Sequence, residues 1–195
     1  FSIGGYTTST LGTECYKYNA NTDVWSAIAS LPAHRAILGT AIVGDYLYAI
    51  GGYDGSNYVN TTYRYDILAD SWTTTLATLP ASIGWGKAVA YNNLIYFAGG
   101  IDAAFTYLST VYVYNPATDT WSTATSMPGA KFGGAFSIAG NKLVYVGGAD
   151  AVGITNTVYI GTIDGGDPLT IAWTTAANTF PGINDGKNYS GNGNL

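Results

Sequence analysis

Three aspartates share a repeated context: Asp54, Asp102 and Asp150 each stand two positions after a Gly-Gly pair. A carboxylate in such a place can contribute to an acidic ring for a cation or a basic partner, or it can close an Asx turn on its own loop. A second set of residues follows prolines. His34-Arg35 come after Pro32, Ile83-Gly84-Trp85 after Pro80, and Lys131-Phe132 after Pro128, with Arg35 and Lys131 at one repeat position. A guanidinium can grip a carboxylate bidentately, so Arg35 is the better candidate for holding an acidic ligand. Trp85 can stack on a sugar or an aromatic side chain, or it can pack inward. Tyr53, Tyr58, Phe105 and Tyr107 add aromatic surface near the Gly-Gly pairs. His34 is the single histidine and no G-x-S-x-G motif accompanies it, so no nucleophilic triad is indicated. One histidine and one cysteine exclude, within this chain, a multi-histidine metal site, a Cys-rich zinc site and an internal disulfide. Cys15 is expected to be a buried, inert thiol. No cofactor and no metal is expected.

The elements that position these residues follow from composition. The chain has 195 residues, against about 100–200 for one domain. Charged residues are 10%, where about 25% is usual, so the surface is polar without being ionic. Twenty-six glycines and 17 tyrosines suit short strands and tight turns. A net charge of −5 and a pI near 4.4 offer no basic patch, which speaks against nucleic acid as a partner. No apolar run approaches the roughly 18 residues a membrane span requires. The chain opens inside a strand-like phrase, Phe1-Ser2-Ile3-Gly4-Gly5, and is expected to be a piece of something longer.

Periodicity sets the architecture. Gly-Gly pairs fall at Gly4-Gly5, Gly51-Gly52, Gly99-Gly100 and Gly147-Gly148, at spacings of 47, 48 and 48. Trp25, Trp72, Trp121 and Trp173 follow the pairs, and Pro32, Pro80, Pro128 and Pro181 follow the tryptophans. In the best-preserved copy, residues 37–43 read as a strand buried on both faces. Gly44-Asp45 reads as a two-residue hairpin turn, matched by Asn92-Asn93 and Gly140-Asn141. A second strand covers 46–50, a third covers 61–65, and a fourth starts at Trp72 and ends before Leu79-Pro80. Asn19, Asp66 and Asn115 lie six before a tryptophan, and Asp23, Asp70 and Asp119 lie two before it. Both sets are expected to bond local backbone in the turn. Four antiparallel strands per repeat, with no helix, describe an all-β propeller blade. Repeat units fall at about 1–47, 48–95, 96–143 and 144–195. Carboxylates spread around a propeller axis do not converge within the roughly 2.6 Å that calcium requires, so a shared ion is not expected.

Gly-Gly, then a tyrosine (Tyr18, Tyr65, Tyr114), then Trp seven residues later, resembles the kelch repeat over essentially the whole chain. The fourth copy departs: Gly161 replaces that tyrosine, and five extra residues around Asp164-Gly165-Gly166-Asp167-Pro168 imply a longer loop. The resemblance implies a kelch-type β-propeller of four-stranded antiparallel blades. Such propellers have six or seven blades, so these four are expected to be a portion, with the remaining blades or another chain covering the open faces. It also implies that the post-Gly-Gly and post-Pro loops share one face, the usual binding face, where residues at the Arg35 position contact an acidic peptide or a ligand carboxylate.

These readings lead to a non-catalytic binding or scaffold module for a protein or glycan partner. The candidate contacts are Arg35, His34, Trp85, Lys131, Phe132, Asp54, Asp102, Asp150 and Tyr53. Arg35 and Lys131 have a structural alternative, as cations bonded within the blades. An enzyme of the sialic-acid mutarotase type is the alternative by resemblance; it needs an acid/base pair, and the only glutamate, Glu14, precedes a third strand. A structural subunit of a cell-surface assembly is a third reading. The low-charge composition, rich in Thr, Asn, Gly and Tyr, points to a secreted or cell-surface protein, with the cytoplasm as the alternative. Asn60-Thr61-Thr62 and Asn188-Tyr189-Ser190 fit the glycan acceptor pattern but, in so Asn- and Thr-rich a chain, carry little weight.

Overall fold

The computed structural model describes residues 1–6, 10–179, 181 and 192–194. Its elements are all strands. Blade 1 contains β1 (Ser2–Tyr6), β2 (Leu11–Asn19) and β3 (Val24–Ile28). Blade 2 contains β4 (Gly39–Val43), β5 (Tyr46–Ile50), β6 (Thr62–Asp66) and β7 (Ser71–Thr73). A two-residue strand β8 (Ile83–Gly84) precedes blade 3, which comprises β9 (Lys87–Tyr91), β10 (Leu94–Ala98), β12 (Val111–Asn115) and β13 (Thr120–Ala124). The short β11 (Ile101–Asp102) lies between β10 and β12. Blade 4 is built from β14 (Ala135–Ala139), β15 (Lys142–Val146), β16 (Val158–Ile163) and β17 (Ile171–Thr175). A last strand, β18 (Asn192–Asn194), runs parallel to β14 with Phe136 opposite Asn192. β18 takes the edge of β14, whose backbone groups are otherwise unpaired on that side.

Within each blade the strands pair in sequence order and antiparallel. The hairpins are tight because their central residues accept φ > 0: Asn92 and Asn93 both do, whereas at Gly44-Asp45 and Gly140-Asn141 only the glycine does. Asn19, Asp66 and Asn115 accept backbone N–H groups two residues on, as Asx turns do. Residues 37–43 are not one strand buried on both faces. Ile37 has φ 52° and stands outside β4, and Ile42 within it is 45% exposed. The fourth strand of blade 2 is also shorter than expected, three residues from Ser71.

The core lies between blades. Cys15, Ile28, Leu31, Leu47, Ala49 and Tyr65 fill the seam of blades 1 and 2. Tyr48, Ile50, Leu79, Ile95, Phe97 and Tyr114 fill the next, and Tyr96, Val111, Met127, Phe136, Leu143 and Tyr145 the third. Removing a side chain such as Leu79 from water contributes about 2 kcal/mol. Blades 1 and 4 share no core cluster among the described residues.

A repeated clasp closes each seam. Trp72 Nε1 donates to Ala29 O at 2.8 Å, Trp121 Nε1 to Ala77 O at 3.1 Å, and Trp173 Nε1 to Thr125 O at 2.9 Å. The N–H of the same alanine donates to an aspartate two residues before the tryptophan: Ala29 to Asp70 at 2.7 Å and Ala77 to Asp119 at 2.8 Å. Tyr65 and Tyr114 donate their hydroxyls to those carboxylates at 2.6 Å. These aspartates therefore reach across to the previous blade as well as to their own tyrosine, and the expectation of purely local turn bonds is corrected. Blade 4 lacks both Tyr and Asp. Trp173 packs over Gly161, where a Cβ would meet its ring, and Leu169 O accepts from Thr125 N–H in place of the carboxylate. The inserted loop that carries Leu169 also docks on blade 3, with Tyr96 Oη donating to Pro168 O at 3.0 Å.

Candidate functional site

The loops after the Gly-Gly pairs and after the prolines meet at one end of the blades, as the resemblance implied. Ala36 bridges Tyr53, Gly84 pairs with Ile101, and Phe132 bridges Ala149. The opposite end carries the two-residue hairpins and the Asx turns, joined for example by Ile67 N–H to Asp45 O.

Seam geometry fixes the loop bases. The second glycine of the first three pairs donates its N–H across the seam: Gly5 to Arg35 O, Gly52 to Ile83 O and Gly100 to Lys131 O, each at 2.8 Å. The first glycine lies so close that a Cβ on Gly99 would meet Lys131 O. This is the physical reason for the Gly-Gly signature.

One step further along, the post-Pro loops are linked to each other. Trp85 N–H donates to Ile37 O at 2.8 Å, and Gly133 N–H donates to Trp85 O at 3.2 Å. All three residues have positive φ, 52° for Ile37, 62° for Trp85 and 67° for Gly133. For a β-branched Ile this is a strained conformation, held by the bonds on either side. The result is a backbone arc that fixes where the Trp85 ring points.

Each candidate residue now has a place. Arg35 is only 3% exposed; its guanidinium donates to Thr61 Oγ1 at 3.0 Å and Tyr63 Oη at 3.1 Å and lies over the Tyr63 ring. Lys131 is 2% exposed and bonds Asp150 Oδ2 and Thr155 Oγ1, both at 2.7 Å. The expectation of accessible cations is corrected: both serve as internal ties, because seam packing at this position buries whatever occupies it, Ile83 included. Asp54, Asp102 and Asp150 close Asx turns, accepting from residues two to four positions on. Asp54 is held below the usual carboxylate range by the N–H groups of Asn57 and Ser56, and Asp150 by the Lys131 ammonium. Among the described residues no cluster of His, Cys, Asp or Glu could hold a metal ion. His34 is exposed. Cys15 is buried beneath the first seam, which pushes its thiol pKa up. Asn188-Tyr189-Ser190 lies outside the described residues.

The aromatic candidates behave differently. Tyr53 packs edge-on to Tyr58 at 5.9 Å, and Tyr58 to Phe105 at 6.0 Å. Trp85 lies 6.3 Å from Phe132, which stacks on Tyr107 at 5.0 Å. A cleft of about 510 Å³ opens among Tyr6, Tyr53, Tyr58, Trp85 and Phe105, and a second of about 500 Å³ lies beyond Phe105 towards Tyr107 and Val152. Phe105 has φ 61° and is 76% exposed, so it stands as a ridge between the two. Sequence reading noted Phe105 among the loop aromatics without singling it out, since nothing local marks a Phe as held in the left-handed conformation.

The comparisons with known proteins agree with this architecture. The family profile described as the KLHDC2/KLHL20/DRC7 Kelch-repeats domain matches residues 1–148. No curated protein matches. Among solved structures, 232 chains match; one described as the structure of YjhT shares 20% identity at a TM-score of 0.76, over 90% of this chain. The chain spans 64% of the length of that structure. Among the described residues no helix is long and apolar enough to cross a membrane. With three-quarters of its length under one profile and a clasp repeated at every seam, the chain belongs to the kelch-repeat β-propeller family.

Proposed function

We propose that this chain is a non-catalytic recognition module that docks a partner on the loop face, in a secreted or cell-surface setting. One observation carries the reading. The loop face puts its aromatic rings outward, while its arginine and lysine are turned into the blades and its aspartates are committed to turns. A low content of charged residues and a Thr-, Asn- and Gly-rich composition support the extracellular setting. Hydrogen exchange of the chain with a captured extracellular partner tests the reading. Protection is expected at residues 36–37, 53–58, 84–85, 102–107 and 149–154. Protection confined to the opposite end, at 44–45 and 66–70, would overturn it. Anomerisation of N-acetylneuraminate followed by NMR is expected to run at the buffer rate; clear acceleration would restore the enzyme reading.

A further inference from the structure

Among the described residues, the cleft between the Tyr53–Tyr58 loop and Trp85 carries no ionisable Asp, Glu, Lys, Arg or His in its lining. Its polar groups are the tyrosine hydroxyls and the side chains of Ser56 and Asn57. Both are exposed, and neither side chain bonds any other described residue of the chain. Asp54, next to the cleft, turns its carboxylate onto the Ser56 and Asn57 N–H groups, at 2.8 Å each. The neighbouring cations are equally spent: Arg35 on Thr61 and Tyr63, Lys131 on Asp150 and Thr155. An anionic ligand would lose its hydration here without gaining a counter-charge, because both neighbouring cations are already bonded, and that is costly. An uncharged ligand with apolar faces and a hydroxyl rim suffers no such loss. Its C–H faces pack on aromatic rings, and its hydroxyls bond an amide and a hydroxyl.

Two further observations bear on size and order. Phe105 walls both this cleft and the next, whose lining carboxylate, Asp150, is paired with Lys131, so one extended ligand can cross the ridge and use both. The Trp85 backbone is fixed by its bonds to Ile37 and Gly133, so little ordering is needed when a ligand lands. A cavity of about 510 Å³ lies within the usual small-ligand range of roughly 300–1,000 Å³.

We propose that the cleft between the Tyr53–Tyr58 loop, Trp85 and Phe105 binds an uncharged glycan, a chain of neutral hexopyranose units laid across the Phe105 ridge. This rests on the recognition reading above and narrows it to one ligand chemistry.

The test is titration of the full chain, followed by tryptophan fluorescence and calorimetry. The panel comprises neutral gluco-, manno- and galacto-hexaoses, N-acetylneuraminate, an oligogalacturonate and a proline-rich decapeptide. A neutral hexaose is expected to bind, and more tightly than its disaccharide. Affinity is expected to change by less than about twofold between low and high salt, because no ion pair forms. Phe105→Ala, at an exposed ring, is expected to weaken binding about tenfold, and Trp85→Ala more. Leu68→Ala at the far end is expected to change nothing. Trp85 is partly buried, so Phe105→Ala and Asn57→Ala keep the test readable should Trp85→Ala fail to fold. Preference for the charged sugars or the proline-rich peptide would overturn the proposal, as would no binding by any neutral hexaose, or binding indifferent to Phe105→Ala. A protein partner protecting the loop face while no hexaose binds would sink the glycan and leave the recognition reading standing.

Discussion

The seam between blades 1 and 2 and the outer face of blade 1 use the same residue types to opposite effect. At the seam, Tyr65, Asp70 and Trp72 hold Ala29, and Tyr65 is 1% exposed. On the outer face, Tyr18, Asp23 and Trp25 keep the same mutual geometry. Tyr18 donates to Asp23 at 2.7 Å, and its ring lies 5.2 Å from Trp25, matching the 5.2 Å between Tyr65 and Trp72. Yet Tyr18 is 44% and Trp25 56% exposed. The tyrosine, aspartate and tryptophan thus keep this arrangement through contacts within their own blade. Its contribution to stability depends on whether a backbone N–H and C=O are there to be held.

The largest expected contrast uses glycines at one repeat position. Gly99→Ala puts a Cβ against Lys131 O at φ 65°, costing about 4 kcal/mol from left-handed strain and overpacking together. At Gly147 the nearest atom among the described residues is Thr155 O at 3.3 Å, and the same change costs about 1–2 kcal/mol, mostly conformational. Urea unfolding midpoints of the two variants check the difference, and equal losses would mean the seam carbonyl does not set the requirement.

Next comes the tryptophan pair. Trp72→Ala is expected to cost about 3 kcal/mol, and Trp25→Ala under about 1. Cys15 reports the same event: its thiol lies under the first seam, so a thiol reagent should label it faster in the Trp72 variant than in the parent. Labelling at an unchanged rate would place the weakness elsewhere.

The smallest effect is in pH. The Ala29 N–H and then the Tyr65 hydroxyl hold the Asp70 carboxyl below its usual range. A lowered native pKa stabilises the fold above the ordinary carboxylate value of about 3.9, and that stabilisation is lost as pH falls through the native value. Asp70→Asn should therefore shallow the acid limb of the Tm–pH curve, and an acid limb identical to the parent's would separate this carboxylate from the seam.

Much of this was legible in the sequence, because a blade is a local object. Gly-Gly, the tyrosine, the tryptophan and the Asx positions each report contacts within about one repeat, so strand order and turns could be read from spacing, whereas the shared loop face followed from the kelch resemblance. What was not legible depends on partners across a seam. Asp70 reads as a turn residue until Ala29, 41 positions earlier, is placed beside it. Arg35 reads equally as a ligand contact or as an internal cation until Thr61 and Tyr63 close over it. Ile37 and Trp85 gave no sign of positive φ, since only Gly133 at the same repeat position has the residue type that announces it.

The held segment also repeats: Ala29-Ser30-Leu31-Pro32, Ala77-Thr78-Leu79-Pro80, Thr125-Ser126-Met127-Pro128 and Asn178-Thr179-Phe180-Pro181. Blades 2 and 3 therefore each have a gripping side and a gripped side, and the grip has a polarity along the chain. Growth or shrinkage of such an array must proceed by whole cassettes of roughly fifty residues. A partial cassette would bring two like sides together, with neither offering what the other holds.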